Sequence, residues 1–568
     1  MQHGVSVVFG LCGDTSLPLY DALRGASERG LRHVLTRDER HAAYMADGYA
    51  RVSGKVGVCE GPSGGGATYI LPGVVEANES SIALLAITTD IGVSSRGRFV
   101  LTELDQVAIF KPLTKWTASV DAAARLPEVF QEGFRRMTTG RPGAAHIALP
   151  YDIQKEDVDE GVLRAEPRYG RYPADRVEPE DRAVGAAARL IAAAKNPVFI
   201  CGGGVVIAGA QRELIALAER IGAPVATTIS GKGSIPETHA LAVGVVGSNG
   251  GTPETRAVVD AADLVIFAGC RAGSVTTERW RHPLPGASSI VHIDVDARVF
   301  DVNYPADASI LGDARLALAA LEREVAKRLP ESDPNVKGPG LEMAAQERSR
   351  RRAAAQASVT RAKNEKFARF NRLAQENVAP IRPERLVLEL QRALPADAIL
   401  CADPGTPCPY LAAYWQQAAI GRSFITNRAH GALGYSLAAA CGAQLAAPNR
   451  KVVAVMGDGS FGMTCGELET VVRYGLPITF IVVNNAEYGW IKAGQKHGFG
   501  ERYFSVDFSR SAHARIAEAF GVKAWCVDDP RRLGEALSGA FSADGPTLVE
   551  VIAQPLEEAA APVSEWIA

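Results

Sequence analysis

The stretch GDGSFGMTCGELETVVRYGLPITFIVVNN, residues 457 to 485, sets an acid between two glycines after one apolar run and two asparagines after the next. The KVVAVM before it reads as a buried strand ending in Gly457, Asp458 and Gly459. CGELETVVRYG has helical spacing and stops at Gly475, a residue type that closes helices. Pro477 then leads into ITFIVV, a second buried strand that ends in Asn484 and Asn485. A strand, crossover helix and strand of this length form a right-handed unit with parallel strands. Both carboxyl ends therefore reach one rim, where open α/β sheets bind ligands. Asp458 and Asn485 offer two hard oxygens there, suited to Mg²⁺ or Ca²⁺ rather than zinc. Gly457 and Gly459 allow close backbone approach, and the following helix start can receive phosphate oxygens. A diphosphate with its bridging metal fits all of these features. A surface turn or a loop start would explain either half alone; the combination, with residues 460 to 483 between its halves, is far rarer.

The same alternation of apolar runs and alanine-rich helical stretches extends outward from this motif. Strand candidates in the first third are VSVVFG (5–10), HVLTR (33–37), VGVCE (56–60), IALLAIT (82–88) and AAHIALP (144–150). A proline-bearing polar stretch, 164–181, reads as a linker, and PVFICGGG, APVATTI, DLVIFAG and IVHIDVD restart the pattern. The charged, alanine-rich LEMAAQERSRRRAAAQASVTRAKNEKFARF reads as a solvated helical connector, and DAILCAD, KVVAVMGD and ITFIVVNN follow it. The expected architecture is α/β, with three doubly wound parallel-sheet domains over 1–160, 182–330 and 381–568 and a helical linker over 331–380.

Bulk properties exclude other classes. With 568 residues, 47% hydrophobic and 22% charged, the chain has material for several buried cores. A net charge of −3 gives no basic field for nucleic acid or an anionic membrane, and no apolar run is long enough to span a bilayer. Nine scattered cysteines without metal spacing read as reduced thiols, which makes the cytoplasm the expected location.

GDG, some two dozen residues and NN together resemble the thiamine diphosphate motif. GDGSF, GELET and LPITFIVVNN resemble the acetolactate synthase group in particular. The likeness covers almost the whole chain and implies pyrimidine-binding, central and diphosphate-binding domains in that order. By the resemblance Asp458, the Asn485 side chain and the Glu487 backbone carbonyl hold Mg²⁺, with Ser460, Gly405 and Thr406 near the diphosphate. Glu39, in VLTRDERHAAYMADGYAR, matches the family glutamate that hydrogen-bonds the aminopyrimidine ring; a helix-start carboxylate is the structural alternative. NRAHGALGYSLAAACGA (427–443) resembles the segment that bends the cofactor, with Leu433 as apolar wedge and the Gly431 carbonyl as acceptor for the amino group.

Departures from the family pattern concern the substrate. Leu101, Thr102 and Glu103 stand where acetolactate synthases carry Phe-Gln-Glu, and Tyr69 stands where they carry asparagine. Trp490, Ile491 and Gln495 are further pocket candidates, or an ordinary helix face; His41 and His430 are candidate proton shuttles. CGGGVVIAGA (201–210) could admit a phosphate, as in relatives that bind FAD, but Arg271 lacks the paired acids that follow it there, so FAD is not expected. Relatives also carry a helix ahead of the first strand, whereas Met1 lies only four residues before Val5.

The expected activity is making or breaking a C–C bond next to a carbonyl, as a 2-oxo acid decarboxylase/carboligase acting on a small 2-oxo acid or ketone. A diketone C–C hydrolase or lyase, a flavin-linked 2-oxo acid oxidase and a catalytically inactive relative are the alternatives. A homodimer or homotetramer is expected, because in the resembled family the cofactor bridges two subunits.

Overall fold

The computed structural model describes residues 1–159, 165–329 and 339–566, with backbone only over 339–345. The expected domain ends at 160, 330 and 568, the start of the linker at 331 and the start of the polar stretch at 164 lie outside the described residues. Three six-stranded sheets follow one another along the chain, and every strand pairing within them is parallel.

The first sheet runs, in spatial order, Arg32–Leu35, Val7–Gly10, Gly57–Gly61, Leu84–Asp90, Ala144–Pro150 and Trp116–Ser119. The third runs Phe424–Thr426, Ile399–Ala402, Val452–Gly457, Thr479–Asn484, Thr547–Ile552 and Lys523–Val527. The two share one topology. In the third sheet Ile399–Ala402 and Val452–Gly457 are neighbours although Phe424–Thr426 lies between them in sequence, so connections leave in opposite directions and a crevice opens past their carboxyl ends. The central sheet runs Ala308–Leu311, Ser289–Asp294, Leu264–Ala268, Pro197–Cys201, Val225–Thr227 and Ala242–Val245. This is the doubly wound dinucleotide-fold order, with its switch point between Pro197–Cys201 and Leu264–Ala268.

The crossover after Val452–Gly457 differs from its sequence expectation. Helix begins at once, over Asp458–Thr464, breaks into a 3₁₀ turn at Cys465–Glu467 and resumes over Leu468–Arg473. The break coincides with Glu467, whose buried carboxylate accepts from the Arg37 amide at 3.2 Å and pairs with His41 Nδ1 at 2.6 Å.

The first and third domains meet through helices Glu39–Ser53 and Ser436–Ala446. A Cβ at Gly48 would stand 2.2 Å from the Ala439 carbonyl oxygen, and one at Gly442 would stand 1.9 Å from that of Met45. Only glycine permits this crossing. The connecting helix, Pro339–Ala374, is also more than a solvated connector. Val359 and Ala362 join the core of the central domain, while Phe370 and Ala374 join that of the third, with Phe370 stacked on Tyr414 at 4.6 Å.

Candidate active site

A cavity of about 410 Å³ opens at the switch point of the third sheet. It is lined by Gly405, Thr406, Gly431, Leu433, Gly457, Asp458, Gly459, Ser460, Asn485, Glu487, Trp490 and Ile491. The loop after Ile399–Ala402 supplies Gly405 and Thr406, the loop between Phe424–Thr426 and Ser436–Ala446 supplies Gly431 and Leu433, the strand end at Gly457 supplies Gly457 to Ser460, and the segment after Asn484 supplies the remainder. Residues drawn from positions 405 to 491 thus converge on one rim, as the parallel crossover requires.

Asp458 is buried, and its two carboxylate oxygens accept the amides of Gly459 at 2.9 Å and Ala486 at 2.6 Å. Among the described residues no lysine, arginine or histidine lies within ion-pair distance of it. Burial without a countercharge pushes its carboxyl up to about 6. Ala486 sits at φ +59°, a left-handed conformation that a non-glycine residue adopts only under local constraint. That turn carries the Ala486 amide onto Asp458 and the Glu487 side chain back onto Asn485. The two asparagines divide their roles: Asn484 Nδ2 donates to Glu550 at 2.6 Å inside the sheet, while Asn485 faces the cavity.

A buried, unpaired carboxylate beside an amide oxygen is a hard-oxygen donor set for Mg²⁺. Gly405 at φ +91°, Gly431 at φ +73° and Gly457 have open space where a Cβ would project, which leaves a cradle for phosphate oxygens. The cavity thus fits a metal-bound diphosphate.

Two carboxylates escaped the sequence reading. Asp403, wholly buried, accepts from the amides of Gly434 and Ser436 and from the Ser436 and Ser460 hydroxyls at 2.8–3.2 Å. The Ser460 hydroxyl is therefore turned toward Asp403. Glu76, from the first domain, accepts the amides of Arg428, Ala429 and His430 at 2.7–3.1 Å. Together they clamp both ends of the loop that presents Gly431 and Leu433. An acid closing a strand in DAILCAD was a legible signal for Asp403; nothing local marks Glu76.

Glu39 and Thr102 do not line this cavity. Glu39 begins the helix Glu39–Ser53 after an Asp38 cap, at the carboxyl rim of the first sheet, and is 9% exposed. Its Oε1 lies against Gly66, and burial raises its carboxyl above the ordinary value. Beneath it the wholly buried Glu60 accepts from the Tyr20 hydroxyl, and burial pushes its carboxyl up to about 8. Thr102, at φ +70°, bonds Ser63 Oγ at 2.7 Å in a loop whose Phe99 and Leu101 are exposed.

The two candidate proton carriers do not line the cavity either: His41 is buried against Glu467, so its ring joins two domains, and His430 is exposed outside it. Gln495 exchanges hydrogen bonds with the Phe504 backbone at 3.0 Å and clamps a loop. Trp490 lines the cavity and packs on Trp566 at 5.1 Å between ring centroids.

A second cleft of about 410 Å³ lies at the switch point of the central sheet. Gly202, Gly203, Gly204, Arg271, Asp294 and Asp296 line it, and Ser274, Val275 and Arg428 border both cavities.

Comparison with known proteins accords with this geometry. Family models described as the N-terminal TPP binding, central and C-terminal TPP binding domains of thiamine pyrophosphate enzymes match residues 1–109, 184–321 and 403–551. A probable acetolactate synthase large subunit of Methanococcus aeolicus is 33% identical over 559 residues, covering 97% of this chain and 90% of that protein. One from Methanocaldococcus jannaschii is 32% identical over 573 residues, covering 98% and 90%. The acetolactate synthase large subunit of Lactococcus lactis subsp. lactis is 31% identical over 554 residues, covering 97% and 90%.

Proposed function

This chain belongs to the acetolactate synthase-like family of thiamine pyrophosphate enzymes, and we propose that it works as a 2-oxo acid decarboxylase/carboligase. The observation that carries the proposal is the single cavity joining the Asp458–Asn485 oxygens to the glycine cradle and the Leu433 wedge. When bound, thiamine diphosphate supplies a nucleophilic carbon and an electron sink. Asp458, Asn485 Oδ1 and the Glu487 carbonyl would hold Mg²⁺; Gly405, Thr406, Gly457, Gly459 and Ser460 would line the diphosphate. Leu433 would fix the bent shape, and the Gly431 carbonyl would accept from the amino group. Glu39 Oε1 or Oε2 would hold and return the proton at the pyrimidine ring nitrogen, a task that suits a carboxyl raised by burial. Trp490, Ile491 and Thr102 would border the substrate and limit water.

Glu39 and Thr102 stand apart from the cavity within one chain, which supports a site completed by a second copy. Exposed Phe99 and Leu101 on one rim, and Ile491, Phe499 and Phe504 on the other, are apolar surface for that contact. A homodimer, alone or within a tetramer, is the expected active unit.

The second cleft supports a nucleotide occupant. Its glycine run follows the first strand of a dinucleotide-order sheet, and Asp294 and Asp296, at and just past the end of Ser289–Asp294, which pairs with Leu264–Ala268, supply acids absent after Arg271. Flavin absorption of the purified protein would identify FAD; a colourless protein that releases an adenine nucleotide on denaturation would exclude it.

The main proposal is tested by incubating protein loaded with thiamine diphosphate and Mg²⁺ with a panel of 2-oxo acids and diketones, following carbon dioxide and coupled products by mass spectrometry. Decarboxylation or ligation of a 2-oxo acid is expected. Cleavage of diketones alone would replace the proposal with a hydrolase or lyase. Glu39→Gln should retain the cofactor and lose most turnover.

A further inference from the structure

We propose that the Glu487 side chain is a positioning residue for the cation site: its carboxylate orients the Asn485 amide so that Oδ1, rather than Nδ2, is offered to the metal. The inference rests on the assignment of Asp458 and Asn485 to Mg²⁺ and adds a role for the side chain of a residue whose backbone carbonyl alone was expected to take part.

Asn485 Nδ2 donates to Glu487 Oε1 at 3.2 Å, and the Leu556 amide donates to the same oxygen at 3.3 Å. Glu487 Oε2 takes Lys492 Nζ at 2.8 Å, and Lys492 is also held by Asp507 at 2.8 Å and Glu557 at 3.1 Å. The carboxylate is thus fixed from three sides: an amide side chain, a backbone N–H and an ammonium. Glu487 is buried, 5% exposed, so water does not substitute for these partners.

An asparagine amide can turn either end toward a ligand, and the two ends have opposite chemistry. With Oδ1 turned toward Glu487, two oxygens without a proton between them would face each other, and Nδ2 would meet the cation. Glu487 disfavours that orientation twice. Partners behind a metal ligand tune the metal in this way, and their loss costs affinity although every ligand remains.

The space for the contact depends on Gly489. A Cβ there would stand 2.9 Å from Asn485 Nδ2, 3.1 Å from Glu487 Oε1 and 3.0 Å from Leu556 Cβ, tight against both ends of the hydrogen bond. The helix Gly489–Phe499 starts at this residue, so its first turn is built around the bond.

The test is Mg²⁺ titration of the full-length protein at saturating thiamine diphosphate, read by isothermal calorimetry and by the fluorescence of cavity-lining Trp490. Asp458→Ala serves as reference, and thermal unfolding of each variant without metal reports folding. Glu487→Ala is expected to weaken Mg²⁺ by about 10- to 100-fold. Glu487→Gln keeps an oxygen for Asn485 Nδ2 and the Leu556 amide, and should recover Mg²⁺ affinity to within a few-fold of the parent. Gly489→Ala disturbs the same bond from the opposite side and should reproduce the loss if Glu487→Ala folds poorly.

Wild-type Mg²⁺ affinity in Glu487→Ala, with binding lost in Asp458→Ala, would overturn the inference and leave the metal assignment standing. Unchanged affinity in Asp458→Ala would instead overturn the metal assignment itself. A Glu487→Gln variant as weak as Glu487→Ala, with a lowered unfolding temperature, would reduce Glu487 to a structural residue and overturn the inference as well.

Discussion

Replacing Glu60 by glutamine should make the protein progressively more stable than its parent as pH rises. Glu60 lies in the interior strand Gly57–Gly61, wholly buried, accepting from the Tyr20 hydroxyl, with Oε2 lacking any partner among the described residues. Burial above all, then the nearby Glu39 carboxylate, lifts its carboxyl from 4.5 to about 8, against the opposing hydrogen bonds of Tyr20 and the Leu11 amide. Among the described residues no cation offsets this, because burial and Arg473 hold the adjacent His33 near 4 and therefore neutral. A folded-state value above the unfolded one means that no penalty exists below pH 4.5. Between 4.5 and 8 the unfolded chain releases a proton that the folded chain keeps, and stability falls. At about 1.36 kcal/mol per pH unit the full penalty approaches about 5 kcal/mol above pH 8, and about 3 kcal/mol of it develops between pH 5 and pH 8. Glutamine preserves an acceptor for Tyr20 and does not titrate. If the first domain unfolds as a unit, its melting temperature in the variant should exceed the parent's by a margin that widens by about 6 to 12 °C over that pH range. Differential scanning calorimetry of both proteins without cofactor, at unit pH steps from 5 to 8, measures it. A constant offset, or a margin that narrows with pH, would mean that Glu60 is already ionised in the folded protein and would refute the reasoning.

The remaining predictions concern contacts between domains. Gly442→Ala would set a Cβ 1.9 Å from the Met45 carbonyl oxygen, so the two central helices must separate; a loss of about 3 kcal/mol in denaturant unfolding is expected, and an unchanged midpoint would contradict the close crossing. His41→Gln should lower stability by about 1 to 3 kcal/mol through the lost partner of buried Glu467. Its turnover at saturating cofactor should stay within a few-fold of the parent, and a collapse of turnover in a folded protein would restore His41 as a proton carrier. Mixing inactive Glu39→Gln with inactive Asp458→Ala should regenerate part of the activity if each site draws on two copies, and no recovery after subunit exchange would place the whole site within one chain.

Buried interior strands were legible because a run such as VVAVM or ITFIVV needs no partner to declare itself: both faces of a parallel strand are covered, so every position is apolar. Trp116–Ser119, Ala242–Val245, Ala308–Leu311, Phe424–Thr426 and Lys523–Val527 escaped the sequence reading, and these five are edge strands of three to five residues; the interior strand Thr547–Ile552, whose run is interrupted by Glu550, escaped it as well. A short edge strand with one unpaired side carries no run long enough to stand out, and its pairing partner is distant in sequence.

By itself the sequence determined the α/β class and the rim on which Asp458 and Asn485 meet, because a strand, crossover and strand impose that convergence over a few dozen residues. Tertiary structure alone decided that Asp403 and Glu76 clamp the Leu433 loop, that Glu487 reaches back to Asn485, and that Glu39 stands outside the cavity. Each of those outcomes depends on which buried charge finds which donor. A carboxylate removed from water takes the nearest N–H or ammonium in space, and nearness across domains is settled only when the helices have packed.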